Sequence, residues 1–221
     1  MSAQHDNCLK MVNFGSLVLY MAKITESASP LILISRFISN FFNPLTSLFL
    51  YYVYYSSLHY GWKQAFTEFV PILLILILPV SLWIYWNVKR GTYSNMDVSN
   101  RNQRKSLYMV IAIALIIYLG VNYLLDGQVD LTILFLFVLL ILMQISNFYI
   151  KSSMHTALNV FTAALFFTFD PTVGFIWTGI AALVGFTRVV LKRHTIKEVM
   201  MGAVLALIVS FAYLYTDIQL R

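Results

Sequence analysis

The sequence has a single cysteine and few charged residues. Cys8 alone excludes a disulfide bond within the chain. Charged residues make up 11% of the 221 residues and apolar residues 60%, whereas a soluble domain carries about a quarter charged residues. No soluble fold of this length can bury so much apolar surface. The composition therefore predicts an integral membrane protein, with the lipid bilayer as its main partner.

The chain also lacks a long hydrophilic stretch, a low-complexity tract and an internal repeat. Its first residues, Met1–Lys10, do not have the basic-then-apolar layout of a cleaved signal peptide. The apolar run Met11–Met21 is too short to span a membrane, and Leu31–Phe41 is amphipathic. We therefore expect residues 1–41 to form an N-terminal interfacial region and residues 42–221 a single transmembrane domain.

Apolar segments near the length of about 20 residues that crosses a bilayer predict an all-α, polytopic helical bundle. Pro71 and Pro79 interrupt the second segment, which a membrane helix tolerates. The fifth is short enough to be a half-buried core helix instead, so the prediction is six or seven spans. The segments are Phe42–Leu58, Phe66–Val88, Ser106–Leu125, Leu131–Tyr149, Thr156–Phe169, Thr172–Leu191 and Val199–Tyr215.

The basic residues are distributed unevenly over the two sides that seven spans create. Thirteen of the 15 Lys and Arg residues lie on one side, and only Lys63 and Arg221 lie on the other. The positive-inside rule predicts that the basic side is cytoplasmic. With six spans the N-terminal basic residues change sides and the asymmetry weakens. Topology also accounts for the net charge of +6 without a nucleic-acid partner.

Two of the four histidines, His155 and His194, lie at helix boundaries on the basic side. The surrounding residues read Lys151-Ser152-Ser153-Met154-His155 and Thr187-Arg188-x5-His194-x3-Glu198. An ionisable cluster at a membrane boundary is by default a candidate functional site.

The spacing of these residues is typical of phosphoryl transfer. His194 and Glu198 are four positions apart, so on a helix the carboxylate can accept one imidazole N–H and leave the other nitrogen free to attack. Arg188 offers a rigid fork of donors for phosphate oxygens. His155 can protonate a departing alkoxide, and Ser153 with nearby backbone N–H groups can hold another oxygen. We predict a phosphohistidine intermediate.

A zinc site is the alternative interpretation of the same residues. His194 and Glu198 at helical spacing can ligate zinc together with His155. Since no cysteine or further histidine joins them, we favour a site without a metal or another cofactor.

These residues resemble two motifs of the type 2 phosphatidic acid phosphatase superfamily, Pro-Ser-Gly-His and Ser-Arg-x5-His-x3-Asp. The segment 152–155 resembles the first of these and the segment 187–198 resembles the second, with identical spacing. The resemblance implies that His194 is the nucleophile, Glu198 its orienting carboxylate and His155 the general acid. It implies that Ser153 and Arg188 bind phosphate and that no metal is required.

The sequence departs from the family pattern at several positions. Ser152 replaces Pro, Met154 replaces Gly, Thr187 replaces Ser and Glu198 replaces Asp. Met154 narrows the expected phosphate pocket, and the charge of Lys151 is a candidate compensation.

A further family motif, Lys-x6-Arg-Pro, has no counterpart in this chain. The basic cluster 101–105 takes its place, with Arg104 as the expected phosphate ligand and Arg101 and Lys105 as alternatives.

Three functions fit this pattern. The first is a phosphatase acting on a membrane lipid phosphate or pyrophosphate, such as phosphatidic acid, phosphatidylglycerophosphate or a polyprenyl pyrophosphate. The second is a transferase of the same fold that passes the phosphoryl or phospho-headgroup to an alcohol other than water. The third is a catalytically degenerate lipid-binding protein. We expect the first, and the sequence does not determine the oligomeric state.

Overall fold

The computed structural model describes residues 29–98 and 100–220, and these ranges form eight helices and no strand. The sequence predictions for Met1–Lys10 and Met11–Met21 lie outside the described residues. The helices are α1 Pro30–Phe41, α2 Pro44–His59, α3 Trp62–Lys89, α4 Arg101–Asp126, α5 Leu131–Ser146, α6 Met154–Phe167, α7 Pro171–Val190 and α8 Ile196–Leu220.

Four of these helices, α3, α4, α7 and α8, are long and apolar enough to cross a membrane. The helices α1, α5 and α6 are apolar but shorter. Large apolar side chains face outward along the long helices, for example Leu124, Phe175 and Phe211. In water such a surface is unfavourable, whereas lipid solvates it. The structure therefore confirms the predicted all-α membrane protein.

Side-chain caps define where the helices begin. Ser29, Asn43, Asp130 and Asp170 each accept a hydrogen bond from a backbone N–H in the first turn that follows. Proline occupies the first helical position of α1, α2 and α7, where its missing N–H costs nothing. Polar residues between apolar segments thus mark boundaries that apolar length alone does not locate.

The sequence analysis ended the second segment at Val88 and began the third at Ser106, but the helix of the third segment begins earlier. Asn100 caps α4 by accepting from the N–H of Asn102, so the helix begins at Arg101. The basic cluster 101–105 forms the first turns of the helix, because charged residues are compatible with helical backbone although they fall outside an apolar span.

The prolines of α3 are accommodated by a change of helical register. The helix runs as Trp62–Pro71, then a π-helical segment Ile72–Ile77, then Leu78–Lys89. The N–H of Leu78 bonds the carbonyl of Leu73, five residues earlier. The wider register lies between Pro71 and Pro79, each of which lacks an N–H donor. The predicted second span is therefore continuous.

Helix α6 lies at the centre of the bundle and packs against α2, α7 and α8. Asn159 is fully buried on it, and its amide donates to the carbonyls of Phe42 and His155. Its side-chain oxygen accepts from the Ser47 hydroxyl on α2 at 2.9 Å. These bonds fix the start of α6, where His155 lies, relative to the beginning of α2.

Candidate functional site

His194 lies in the short connection between α7 and α8. The left-handed backbone of Lys192, with φ of 54°, turns the chain after α7. The N–H of His194 then bonds the carbonyl of Arg188 at 3.2 Å. The imidazole is 5% exposed, and its Nδ1 lies 2.8 Å from Oε2 of Glu198. The turn therefore holds the ring inside the bundle, directly over the start of α8.

A capping box at the start of α8 holds Glu198 in place. The Thr195 hydroxyl accepts from the N–H of Glu198 at 3.3 Å, and Oε2 of Glu198 accepts from the N–H of Thr195 at 3.1 Å. The same carboxylate oxygen contacts His194. Glu198 therefore both caps the start of α8 and orients the imidazole of His194.

Arg104 determines which tautomer His194 adopts. Its Nη2 lies 3.3 Å from Nε2 of His194. Because a guanidinium only donates, Nε2 is the acceptor and carries the lone pair. Nδ1 then carries the proton and donates it to Glu198. The imidazole thus has one nitrogen that carries a lone pair and another that donates to a carboxylate, and the contact with Glu198 is the one that the i,i+4 spacing predicts.

The charge state of His194 agrees with this arrangement. Burial, followed by the positive charges of Arg104, Arg188 and Lys151, lowers the pKa of His194 to about 2. The imidazole is therefore neutral across the physiological pH range, and its lone pair is available without prior loss of a proton.

Arg104 is itself held rigidly. It is 2% exposed, and it donates from Nε to the carbonyl of Val98 at 3.1 Å and from Nη1 to the carbonyl of Ser152 at 2.8 Å. These bonds tie α4, the loop before it and the segment before α6 to one guanidinium. Arg104 therefore lies at the site, where the sequence analysis expected a phosphate ligand.

Ser153 and His155 reach the site at the start of α6. Ser153 is the N-cap of this helix and accepts from the N–H of Thr156. Its own N–H donates to the carbonyl of Glu198 at 3.0 Å, which joins the segment to α8. The Ser153 side chain is fully buried. The positive end of the α6 dipole therefore faces the site.

This close approach requires glycine at position 202 on α8. A Cβ there would lie 2.7 Å from the carbonyl oxygen of Ser153, closer than side-chain carbons come to backbone oxygens. The sequence analysis did not identify Gly202. A glycine one helical turn after Glu198, within a run of larger apolar residues, is the signal that marks it.

Arg188 lies at the end of α7 and is 3% exposed. Its Nη1 donates to the Ser39 hydroxyl on α1 at 3.0 Å, and its Nη2 donates to Oδ2 of Asp97 at 2.5 Å. Its Nε is buried and has no hydrogen-bond partner among the described residues. A buried guanidinium with an unused donor is suited to binding an anion.

Asp97 is a site residue that the sequence analysis missed. Its Oδ1 lies 3.6 Å from Nε2 of His155, so one carboxylate faces both Arg188 and His155. Burial raises the pKa of Asp97, but the positive charges of His155 and Arg188 outweigh this effect and the net pKa lies below its usual value. A single acidic residue between Arg90 and Arg101 is the sequence signal that could have identified it.

Lys151 lies at the rim of the site, with its Nζ 3.9 Å from Oε2 of Glu198 and 3.3 Å from the carbonyl oxygen of Arg193. Burial, opposed by the charge of Glu198, lowers the pKa of the Lys151 ammonium. Met154 is half-buried beside the site and lines the cavity that opens from it.

Arg101 and Lys105 do not join the other residues. The guanidinium of Arg101 donates to the backbone carbonyls of Asn147 and Phe148, just beyond the end of α5. The exposed Lys105 ammonium lies 5.7 Å above the Phe148 ring. Of the three basic candidates for the missing motif, only Arg104 contacts His194.

Within residues 29–98 and 100–220, no three His, Cys, Asp or Glu side chains are grouped so as to hold a metal ion. The zinc alternative therefore gains no support from the geometry.

Comparison of the chain with protein-family models, with curated proteins and with solved structures found no match. The functional interpretation therefore depends on the geometry of the site.

Proposed function

We propose that this protein is a metal-independent lipid-phosphate phosphatase of the type 2 phosphatidic acid phosphatase kind, acting through a phosphohistidine at His194. The observation that carries the proposal is the pair of contacts on the His194 ring. Glu198 accepts from Nδ1 at 2.8 Å, and Arg104 faces Nε2 at 3.3 Å. A neutral imidazole with its nucleophilic nitrogen directed at a guanidinium is arranged to meet a phosphate bound to that guanidinium.

In the first step, Arg104 and Arg188 bind the non-bridging oxygens of the substrate phosphate. Nε2 of His194 attacks phosphorus, and the bond between phosphorus and the lipid oxygen breaks. The departing alkoxide takes a proton from His155, which enters this step as the imidazolium and leaves it neutral. Glu198 stabilises the positive charge that develops on the His194 ring through Nδ1–H.

In the second step, water attacks phosphorus, the bond between phosphorus and Nε2 breaks, and inorganic phosphate leaves. His155 accepts the proton of the attacking water, so both histidines return to their starting state.

The carboxylate of Asp97 occupies the position of an anionic ligand in this mechanism. It bonds Arg188 at 2.5 Å and faces Nε2 of His155 at 3.6 Å. Because the substrate phosphate needs the same donors, binding displaces Asp97 from Arg188. The partly exposed carboxylate lies in the connection between α3 and α4, outside the helices.

The proposal predicts metal-independent turnover. The purified chain in detergent with excess EDTA is expected to release inorganic phosphate from phosphatidic acid or a polyprenyl pyrophosphate at the rate observed without EDTA. Release that stops with EDTA and returns with zinc would contradict the mechanism. Transfer of the phosphoryl group to an added alcohol, with no release to water, would favour the transferase.

We also propose that α2 to α8 all cross the membrane, which gives seven spans. The direction of the helices supports this count. Helices α4, α6 and α8 begin beside the site, because Arg104, Ser153 and Glu198 lie at or near their first residues. Helix α7 ends beside the site, where Arg188 lies in its last turn. On α1, Ser39 contacts Arg188 just before α2 begins. Consecutive helices therefore run in alternating directions from one common face.

The charge asymmetry supports a cytoplasmic position for this face. We expect a single cysteine at position 95, introduced as Asn95→Cys in a Cys8→Ser background, to resist a membrane-impermeant maleimide in intact cells and to react after permeabilisation. Asn95 lies in the connection between α3 and α4, on the proposed site face. Reaction in intact cells would reverse the orientation.

A further inference from the structure

A large cavity among the described residues opens directly from the candidate site. Its volume is about 1520 Å³, which exceeds the range of about 300–1,000 Å³ common for small-molecule pockets. Asp97, His155 and Arg188 line one end of it, and Tyr118 and Asp130 line the other. The cavity therefore extends along the bundle from the site towards the opposite face.

The walls between these two ends are apolar. Helices α2 to α6 contribute aliphatic side chains throughout this middle part, among them Leu48, Ile72, Leu76, Ile111, Leu136 and Leu158. Aliphatic walls offer water no hydrogen-bond partners, and an unfilled cavity destabilises the fold in proportion to its volume. This region is therefore suited to hydrocarbon.

The far end of the cavity is polar. Tyr118 and Tyr213 are 7% and 4% exposed, and the Asp130 carboxylate caps α5 there by accepting from the N–H of Ile133 at 3.0 Å. A hydrocarbon terminus that extends past the aliphatic walls excludes water from these polar groups, which is unfavourable. These three residues, with Asn122, Asp126 and Asp217 beyond them, form a polar floor that disfavours longer chains.

We propose that this cavity holds the hydrocarbon chain of the substrate inside the bundle, and that the polar floor limits the chain length. The proposal rests on the phosphatase function, because the phosphate bound at Arg188, at the site end of the cavity, positions the head of the chain. The ligand class is a phosphate ester or pyrophosphate of one long aliphatic or isoprenoid alcohol. A second chain, where the lipid has one, remains in the bilayer.

Photo-crosslinking tests the position of the chain. Two alkyl phosphates of equal length carry a diazirine either at mid-chain or at the chain terminus, and each is irradiated with the full-length His194→Ala chain in detergent. We expect the mid-chain probe to label wall residues such as Ile111 and Leu136, and the terminal probe to label Tyr118 or Tyr213. Labelling confined to outward residues such as Ile113 and Ile117, whichever probe is used, would overturn the proposal.

A matched pair of substitutions on α4 tests whether the cavity must be open. Ala114 is 6% exposed and lines the cavity, whereas the adjacent Ile113 is 51% exposed and faces outward. Ala114→Phe is expected to reduce terminal-probe labelling of the floor at least tenfold, and Ile113→Phe to leave it unchanged. Ala114→Leu supplies a smaller obstruction if the phenylalanine variant does not fold. Undiminished floor labelling in a folded Ala114 variant would refute an internal chain.

The two proposals fail in different ways. If labelling follows the diazirine position but the wild-type chain releases no phosphate, the cavity binds a hydrocarbon chain and the phosphatase proposal is wrong. If the wild-type chain releases phosphate but only outward residues are labelled, the phosphatase proposal stands and the proposal of an internal chain is wrong.

Discussion

Replacing His194 with alanine is expected to reduce phosphate release by about 10⁴-fold or more, because it removes the nitrogen that attacks phosphorus. The two contacts on the ring make this expectation specific. Arg104 identifies Nε2 as the nitrogen with the lone pair, and Glu198 holds the proton on Nδ1. The measurement is inorganic phosphate released in detergent from a lipid phosphate, with size-exclusion profile and thermal stability compared with the wild-type chain.

A trapped intermediate provides a second measurement. Wild-type protein quenched during turnover of a ³²P-labelled substrate should carry acid-labile label, and the His194→Ala variant should carry none. His59→Ala is the matched control, because His59 stacks on Tyr55 at the end of α2 remote from the site. Phosphate release within a factor of a few of wild type by the His194→Ala variant would refute the assignment.

Glu198 needs a control of its own because it serves two roles. Both glutamate and glutamine complete a capping box, so Glu198→Gln preserves the start of α8 while removing the negative charge beside Nδ1. If Glu198→Gln loses activity but not thermal stability, the loss therefore results from a change in the orientation of His194. This comparison separates catalysis from folding at a residue where alanine would change both.

Local sequence spacing predicted the part of the site that lies within one segment. His194 and Glu198 meet because residues four apart share a helix face, and Thr195 and Glu198 carry the pattern of a capping box. The approximate positions of the apolar helices were also predictable, since apolar length determines which segments can be solvated by lipid. Hydropathy did not locate the start of α4, because the capping side chain of Asn100 determines where that helix begins.

Contacts between distant segments were not predictable in the same way. Asp97 and Arg188 are 91 residues apart, and their ion pair depends on how the connection after α3 folds over the end of α7. The internal cavity also arises only from packing, because the apolar residues on its walls have the same composition as those that face lipid.

The choice among the three basic residues of α4 illustrates the same limit. Arg101 takes the backbone carbonyls at residues 147 and 148, where the C-terminal end of α5 favours a positive charge. Arg104, one turn later, faces inward to His194 instead. Either set of acceptors provides partners for the N–H donors of a guanidinium. Which arginine faces His194 therefore depends on the position of α5 relative to α4.

Replacing His155 with alanine is expected to affect substrates according to their leaving group. For an alkyl phosphate, the departing alkoxide needs a proton in the transition state, and losing a general acid costs about 10²–10⁴-fold in rate. For a nitrophenyl phosphate the leaving group is stable as an anion, so the loss should be about tenfold or less. Since His155 lies at the start of α6, with its Nε2 facing Asp97 at 3.6 Å, its ring is directed into the site and not towards lipid.

The informative quantity is the ratio of kcat/KM for the two substrates, because a general loss of folded protein lowers both values equally. His155→Ala should lower the alkyl-to-aryl ratio by at least tenfold, whereas His194→Ala should abolish both activities, because the nucleophile is needed for any leaving group. Equal losses on both substrates in the His155 variant would show that the residue binds or positions phosphate and is not the proton donor. Oδ1 of Asp97 lies 3.6 Å from the same ring nitrogen, and in the proposed mechanism the leaving oxygen takes the place of this carboxylate during turnover.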